Sequence, residues 1–197
     1  MLLSLILGTA GFLLFFIYDI NSITGNRSLF RSFFLIGNLF VALATVLGLI
    51  DAFKTNAISG AADIVLCIFG LFSLAAMFYS LFFALPFDKT YVQQENGRHV
   101  YDRGVYALCR HPGVLFFFAF YLLAGLAALP SHLLLCGMIF TVYNFAYICF
   151  QDLIVFPKTF SDYSDYKTYT PFIIPNKKSI CRMLSTSGIT NRKEDSK

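Results

Sequence analysis

Charge is scarce in this chain. Only 13% of its 197 residues are Asp, Glu, Lys or Arg, where a soluble domain of that length carries about a quarter. That scarcity excludes an ordinary water-solvated globule. No C-x-x-C pair occurs among the five cysteines, Cys67, Cys109, Cys136, Cys149 and Cys181. Neither a zinc site nor a disulfide framework is therefore indicated, and no metal is expected. Three of the five lie in apolar blocks and read as buried thiols. Cys109 is the exception, because neighbouring Arg110 is expected to lower its pKa. No internal repeat is present. No Lys or Arg precedes the first apolar block, whose run is too long for a signal peptide, so it reads as a retained helix.

What is abundant is apolar length. Hydrophobic residues make up 57% of the chain and fall into the blocks 2–18, 29–50, 61–85, 113–129 and 133–150. Crossing a bilayer as a helix takes about 20 such residues, with about 17 as the lower limit. The fold class expected is an all-α integral membrane protein with about five transmembrane helices. Residues 1–85 would hold three of them, and 86–175 a cytoplasmic loop, a tight antiparallel hairpin and an interfacial segment. The polar, basic stretch 176–197 is expected to be disordered or to rest on the membrane surface.

Basic residues set the expected orientation, since short cytoplasmic loops collect Lys and Arg. With five spans, 19–28, 86–112 and 151–197 share one side and, with Arg31 at the start of the second helix, carry fourteen of the fifteen basic residues; Lys54 alone lies opposite. The N-terminus is then outside or lumenal and the C-terminus cytoplasmic, in a bacterial plasma membrane or the endoplasmic reticulum. The net charge of +4 reads as this topology signal plus attraction to anionic lipid, with no nucleic-acid partner. The opposite connections, 51–60 and 130–132, are short and weakly charged, so the chemistry is expected on the cytoplasmic face. Asp63, about one turn inside its helix, reads as a snorkelling or capping residue. Asn38 and Asn144 read as interhelical hydrogen-bonding groups.

The densest polar chemistry is the loop R-H-V-Y-D-R-G-V-Y-A-L-C-R-H-P, residues 98–112. His111 precedes a proline and is pushed toward extended geometry, while Pro112 suits a first helical position. The positive dipole end of that helix, with Arg110 beside it, suits a carboxylate or phosphate. Basic residues at a helix entry also serve as plain membrane anchors. A second cluster shifts that balance: Gln151-Asp152 closes the last block, placing an acid where the helix dipole disfavours it. Phe160, Tyr163 and Tyr166 follow at three-residue spacing, one helix face expected along the interface. A short connection makes the last two helices antiparallel neighbours, which brings Arg110, His111 and Asp152 into one region.

The order G-x-Y-x-x-x-R-H-P (Gly104, Tyr106, Arg110, His111, Pro112), a helical hairpin, an acidic residue, F-x-x-Y-x-x-Y-K and a closing I-P resembles the isoprenylcysteine carboxyl methyltransferase and phospholipid methyltransferase superfamily. The resemblance covers residues 98–175. It implies S-adenosylmethionine as cofactor, held at the cytoplasmic face by Tyr106, Arg110, His111, Pro112, Gln151, Asp152 and Tyr163. Arg110, His111 and Asp152 would be catalytic, and the acceptor a lipid or prenylated substrate. The chain has Gln151-Asp152 where the family usually has Glu-Glu, and Val114 and Phe116 where it tends to have Tyr and Gly. No soluble-type glycine-rich cofactor loop occurs, which excludes a Rossmann-like methyltransferase.

Two other readings compete. A sterol-type reductase would share the C-terminal layout but use NADPH, for whose phosphates a single basic pair is thin. A scaffold or transporter subunit would bind no cofactor and tolerate substitution of the RHP loop. The orientation itself is testable: in a cysteine-free variant of the chain, a cysteine at position 95 should react only from the cytoplasmic side. Labelling from the outer face of intact cells would reverse the orientation.

Overall fold

The computed structural model describes residues 1–25, 27–55, 58–84 and 98–186. Position 95 and most of the loop before Arg98 lie outside the described residues, as do residues 187–197 of the tail. Helix is the regular secondary structure throughout the described residues, with one isolated bridge between Arg98 and Phe160. In order come α1 (Leu2–Thr24), a 3-10 turn (Ser28–Ser32), α2 (Phe33–Lys54) and α3 (Ala61–Phe78), which runs on as a π turn (Tyr79–Phe83). After the loop come the single turn α4 (Val105–Leu108), α5 (Pro112–Ala127) and α6 (Leu133–Phe150). A second π turn (Gln151–Val155) continues α6 into α7 (Phe156–Thr159), followed by α8 (Tyr163–Tyr169) and α9 (Lys177–Thr186).

Four of these helical runs are long and apolar enough to cross a membrane: Leu2–Thr24, Ser28–Lys54, Ala61–Phe83 and Leu133–Thr159. The protein is thus a helical membrane protein. The fourth apolar block forms α5, whose 16 residues span only about 24 Å at 1.5 Å per residue. Outward side chains such as Leu39 (59% exposed) and Phe72 (71%) present hydrocarbon along these helices, as lipid requires.

The chain divides into two compact units, one of residues 1–75 and 116–155, the other of 76–115 and 156–197. In unit one, α1 carries an aromatic core. Phe12 packs edge-on against Phe15, Phe117 and Tyr143, with centroids 5.5, 6.2 and 5.8 Å away. The backbones approach closely where side chains are absent. A Cβ on Gly11 would lie 2.8 Å from the Gly37 carbonyl oxygen, and one on Gly37 would lie 2.6 Å from the Phe15 ring. The rings of Phe140 and Tyr121 likewise rest on Gly8 and Gly137. Lipid offers no hydrophobic drive to helix association, so such close van der Waals contact takes its place.

Several details differ from the sequence reading. Helix α1 continues six residues beyond 18, so Asp19 and Asn21 are helical and buried. Asn21 is satisfied by clasping the backbone of Arg27: its Nδ2 donates to that carbonyl at 3.1 Å, and the Arg27 N–H donates to its Oδ1 at 2.9 Å. Asn38 bonds within its own helix, to the Phe34 carbonyl at 2.7 Å, and not across helices. Asp63 takes the capping role, one of the two read for it, accepting the N–H groups of Gly60 at 2.8 Å and Ser59 at 3.2 Å.

The Gly11–Gly37 approach yields a stability test. Gly11→Ala gains about 1 kcal/mol of helix propensity but drives a methyl into an immobile carbonyl, a strain of about 1–3 kcal/mol. The melting temperature should fall. Gly25→Ala, whose Cβ would meet nothing nearer than 3.9 Å, should leave it nearly unchanged.

Candidate functional site

Unit two holds the RHP loop. Gly104 adopts φ 56°, ψ −132°, a conformation only glycine takes without strain. It turns the chain into the single turn α4, after which Cys109 is extended (φ −159°, ψ 162°). The Arg110 N–H then donates to the Pro171 carbonyl at 2.9 Å, joining the loop to the segment after α8. Pro112 opens α5 as the sequence implies.

Around that junction the side chains are mostly aromatic. The His111 ring, 7% exposed, stacks on Phe156 at 5.7 Å with an 11° interplanar angle. Its edge meets Phe172 at 5.2 Å. The Arg110 guanidinium sits 5.4 Å from the Phe172 centroid, and its NH1 points at the Lys167 carbonyl from 3.5 Å, at the long limit for a hydrogen bond. Tyr163 packs against Phe156 at 5.4 Å and Tyr166 at 5.9 Å. Lys167 Nζ stands 5.8 Å over the Tyr163 ring. Tyr106 donates its hydroxyl to the Ser80 carbonyl at 2.8 Å, and its own carbonyl accepts the Tyr166 hydroxyl at 2.6 Å. Burial raises the Tyr166 pKa above that of a free phenol. Thr170 Oγ1 is buried with no hydrogen-bond partner among the described residues, one residue from the carbonyl that Arg110 grips.

Tyr106, Arg110, His111, Pro112 and Tyr163 therefore fall together in unit two. Gln151 and Asp152 belong to unit one. There Gln151 Nε2 donates to Asp19 Oδ2 at 2.9 Å, a partner 132 positions away that no local pattern signals. Asp152 is 4% exposed. The helix does not end at Asp152 but continues to Thr159, which removes the carboxylate from the negative dipole end and with it the expected penalty.

Four further details differ from the sequence reading. Phe160 precedes the Asp162 N-cap of α8, so it shares no helix face with the tyrosines. Tyr163 and Tyr166 are 2% and 3% exposed, packed inward rather than along an interface. The tail is helical over Lys177–Thr186. It is capped by Asn176, whose Oδ1 accepts the Ser179 N–H at 2.9 Å. Arg182 pins it by pairing with Asp102 and lying 4.0 Å over the Tyr169 ring. Finally, Cys109 is fully buried, and burial pushes its thiol up to about 11. Desolvation outweighs the backbone N–H of His111 that would favour thiolate.

The opposite end of unit one was read as chemically empty. It holds Ser4, His132 and Asp51 in mutual hydrogen-bond reach. Among the described residues no cluster of three His, Cys, Asp or Glu side chains could hold a metal. No protein-family model, curated protein or solved structure matches the chain.

The buried thiol has a pH signature. Cys109 stays neutral in the folded protein while an unfolded thiol ionises near 9.0, so stability should fall as pH rises from about 9 to about 11. Cys109→Ala should flatten that part of the denaturant-midpoint profile. At pH 7.5, maleimide should modify the exposed Cys181 and spare Cys109 until the protein unfolds.

Proposed function

We propose that this protein is a membrane-embedded methyltransferase that uses S-adenosylmethionine and acts on a lipid or prenylated substrate at the cytoplasmic face. In this reading α5 makes a fifth crossing and forms a hairpin with α6, and the N-terminus is outside. The observation that carries it is the joining of the RHP loop to the tyrosine segment. The Arg110–Pro171 backbone bond and the His111–Phe156 stack hold together two motifs that the methyltransferase resemblance requires side by side.

The residues of unit two fit the cofactor. Aromatic faces stabilise a sulfonium as they do ammonium ions, and Phe156, Phe172 and Tyr163 supply them. The Arg110 guanidinium suits the amino-acid carboxylate. The Thr170 hydroxyl, buried without a partner among the described residues, would gain one in a ligand's polar edge. Tyr106, its hydroxyl committed to Ser80, offers its ring. The bound cofactor would supply an activated methyl group on sulfur.

For the chain the main demand is alignment, since in-line displacement depends on holding donor and acceptor in near-attack geometry. His111 in its aromatic slot is the group placed to take a proton from an amine acceptor; a carboxylate acceptor needs no base. Asp152 has a place in this reading through the resemblance alone, which gives it the donor's amine or ribose.

Equilibrium binding of S-adenosylmethionine and of NADPH to the detergent-purified chain tests the reading. S-adenosylmethionine should bind and NADPH should not; the reverse would favour a reductase, and binding of neither a non-enzymatic role. Arg110→Ala and His111→Ala should weaken binding about ten- to a hundred-fold, from a charge-assisted contact of about 1.5–3 kcal/mol. Asp152→Asn should shrink the ligand-induced melting shift, while Asp152→Glu keeps it. Equal shifts for wild type and Asp152→Asn would remove Asp152 from the site.

A further inference from the structure

Unit one brings three helix ends together: the start of α1, the end of α2 and the start of α6. Ser4, Asp51 and His132 sit there, one on each of the first two helices and the last at the N-cap of the third. His132 Nδ1 lies 2.8 Å from Asp51 Oδ2, and the His132 backbone N–H reaches the same oxygen at 3.4 Å. On the other edge of the ring, Nε2 lies 3.2 Å from Ser4 Oγ. An ionised carboxylate only accepts, so Nδ1 carries the hydrogen and Nε2 of the neutral ring is left to accept from the hydroxyl. The resulting order is hydroxyl, imidazole, carboxylate, contributed by residues far apart in sequence. Tying α2 to α6 requires only the Asp51–His132 half of this line.

We propose that Ser4 is a nucleophile activated by His132, with Asp51 orienting the base, and that the site takes the acyl group of a lipid ester. Both distances meet the geometric test for a nucleophile, its base and the base's orienter. The Cα–Cβ bond of a helical residue tilts toward the helix N-terminus, where first-turn N–H groups have no intrahelical acceptor. Helix α1 has no side-chain cap among the described residues. Its first N–H groups therefore lie on the same side as the Ser4 hydroxyl, as donors for a developing oxyanion.

Exposure selects the substrate class. Ser4 is 1% exposed, while Leu2, Leu3 and Ile6 around it are 70%, 58% and 56% exposed. An acyl chain lying on these side chains would bring its carbonyl to the helix start, where a first turn opens at small cost. A water-borne ester would find no such surface.

The step balances without any further co-reactant than water. Ser4 Oγ bonds to the ester carbonyl carbon as His132 Nε2 takes the hydroxyl proton. The carbon–oxygen bond to the alcohol then breaks, and the alcohol leaves with that proton. Water adds to the acyl-serine by the same route, releasing the carboxylic acid and restoring Ser4. Asp51 stays ionised and stabilises the transient imidazolium.

A fluorophosphonate probe on the full chain in detergent micelles tests this, with intact-mass and peptide mass spectrometry locating the adduct. The expected result is one adduct at Ser4, absent in Ser4→Ala. Labelling should slow at least tenfold in His132→Gln and Asp51→Asn, variants whose folding is checked by thermal melting. Ser4→Cys, which keeps the packing nearly intact, should be alkylated faster with His132 present than in the His132→Gln background. Absence of an adduct on folded wild type, or equal rates with and without His132, would overturn the proposal and leave the three residues as a helix staple. S-adenosylmethionine binding, measured on the same preparations, should be unaffected by these variants, so the two sites fail or stand separately.

Discussion

A backbone amide in hydrocarbon has no water to bond, so each N–H and C=O must find its partner within the chain. Helix is the form that does this segment by segment, and the rest of this structure follows from that constraint. Helices satisfied internally have little polar surface left with which to associate, and many contacts in the middle of unit one are correspondingly apolar. They are rings on glycines, and α1 lies so near α2 that a single Cβ at Gly11 would strike a carbonyl. Polar chemistry is pushed to the helix ends, where amides and carbonyls run out of partners. Both candidate sites lie at such ends.

The two ends solve that shortage differently. At the RHP loop the chain supplies backbone: Arg110 donates to Pro171 and Tyr106 accepts from Tyr166. The side chains of Arg110 and His111 are thereby held among aromatic rings. Where α1, α2 and α6 meet, side chains do the work, with Asp51 accepting from both the ring and the backbone of His132. The first arrangement sets cations and an imidazole against flat aromatic rings. The second builds a directed line of proton donors and acceptors. In the two proposals these arrangements have different tasks, methyl alignment in one and proton transfer in the other.

The apolar helices were legible because a period and a length announce them, and Pro112 marks its own helix start wherever it stands. Helix ends were less legible. Asp19 and Asn21 look like loop residues until Gln151 and Arg27 satisfy them, and a π turn carries α6 past Phe150, where composition alone stops it. Tyr163 and Tyr166 were read correctly as one face, but spacing cannot say whether a face points to lipid or inward. The line of Ser4, His132 and Asp51 had no local signature, since its spacings of 47 and 81 residues carry no periodicity. Cys109 shows the limit of reading neighbours: Arg110 is adjacent in sequence, yet burial decides the thiol's state.

The charge pattern of unit two bears on what it could bind under the proposed function. Arg110 and Lys167 flank the rings, while Asp102 is engaged by Arg182 and Tyr169. A purely cationic ligand would gain about 0.5–2 kcal/mol from an aromatic face. Repulsion from Arg110 and Lys167 opposes that gain. A purely anionic ligand would satisfy the cations but gain nothing from the ring faces. In the proposed function, the ligand matched to these rings and the guanidinium beside them carries both signs, a cation for the rings and a carboxylate for the arginine. A sulfonium amino acid has that distribution, whereas the phosphates of a nicotinamide dinucleotide would call for more basic side chains than Arg110 and Lys167.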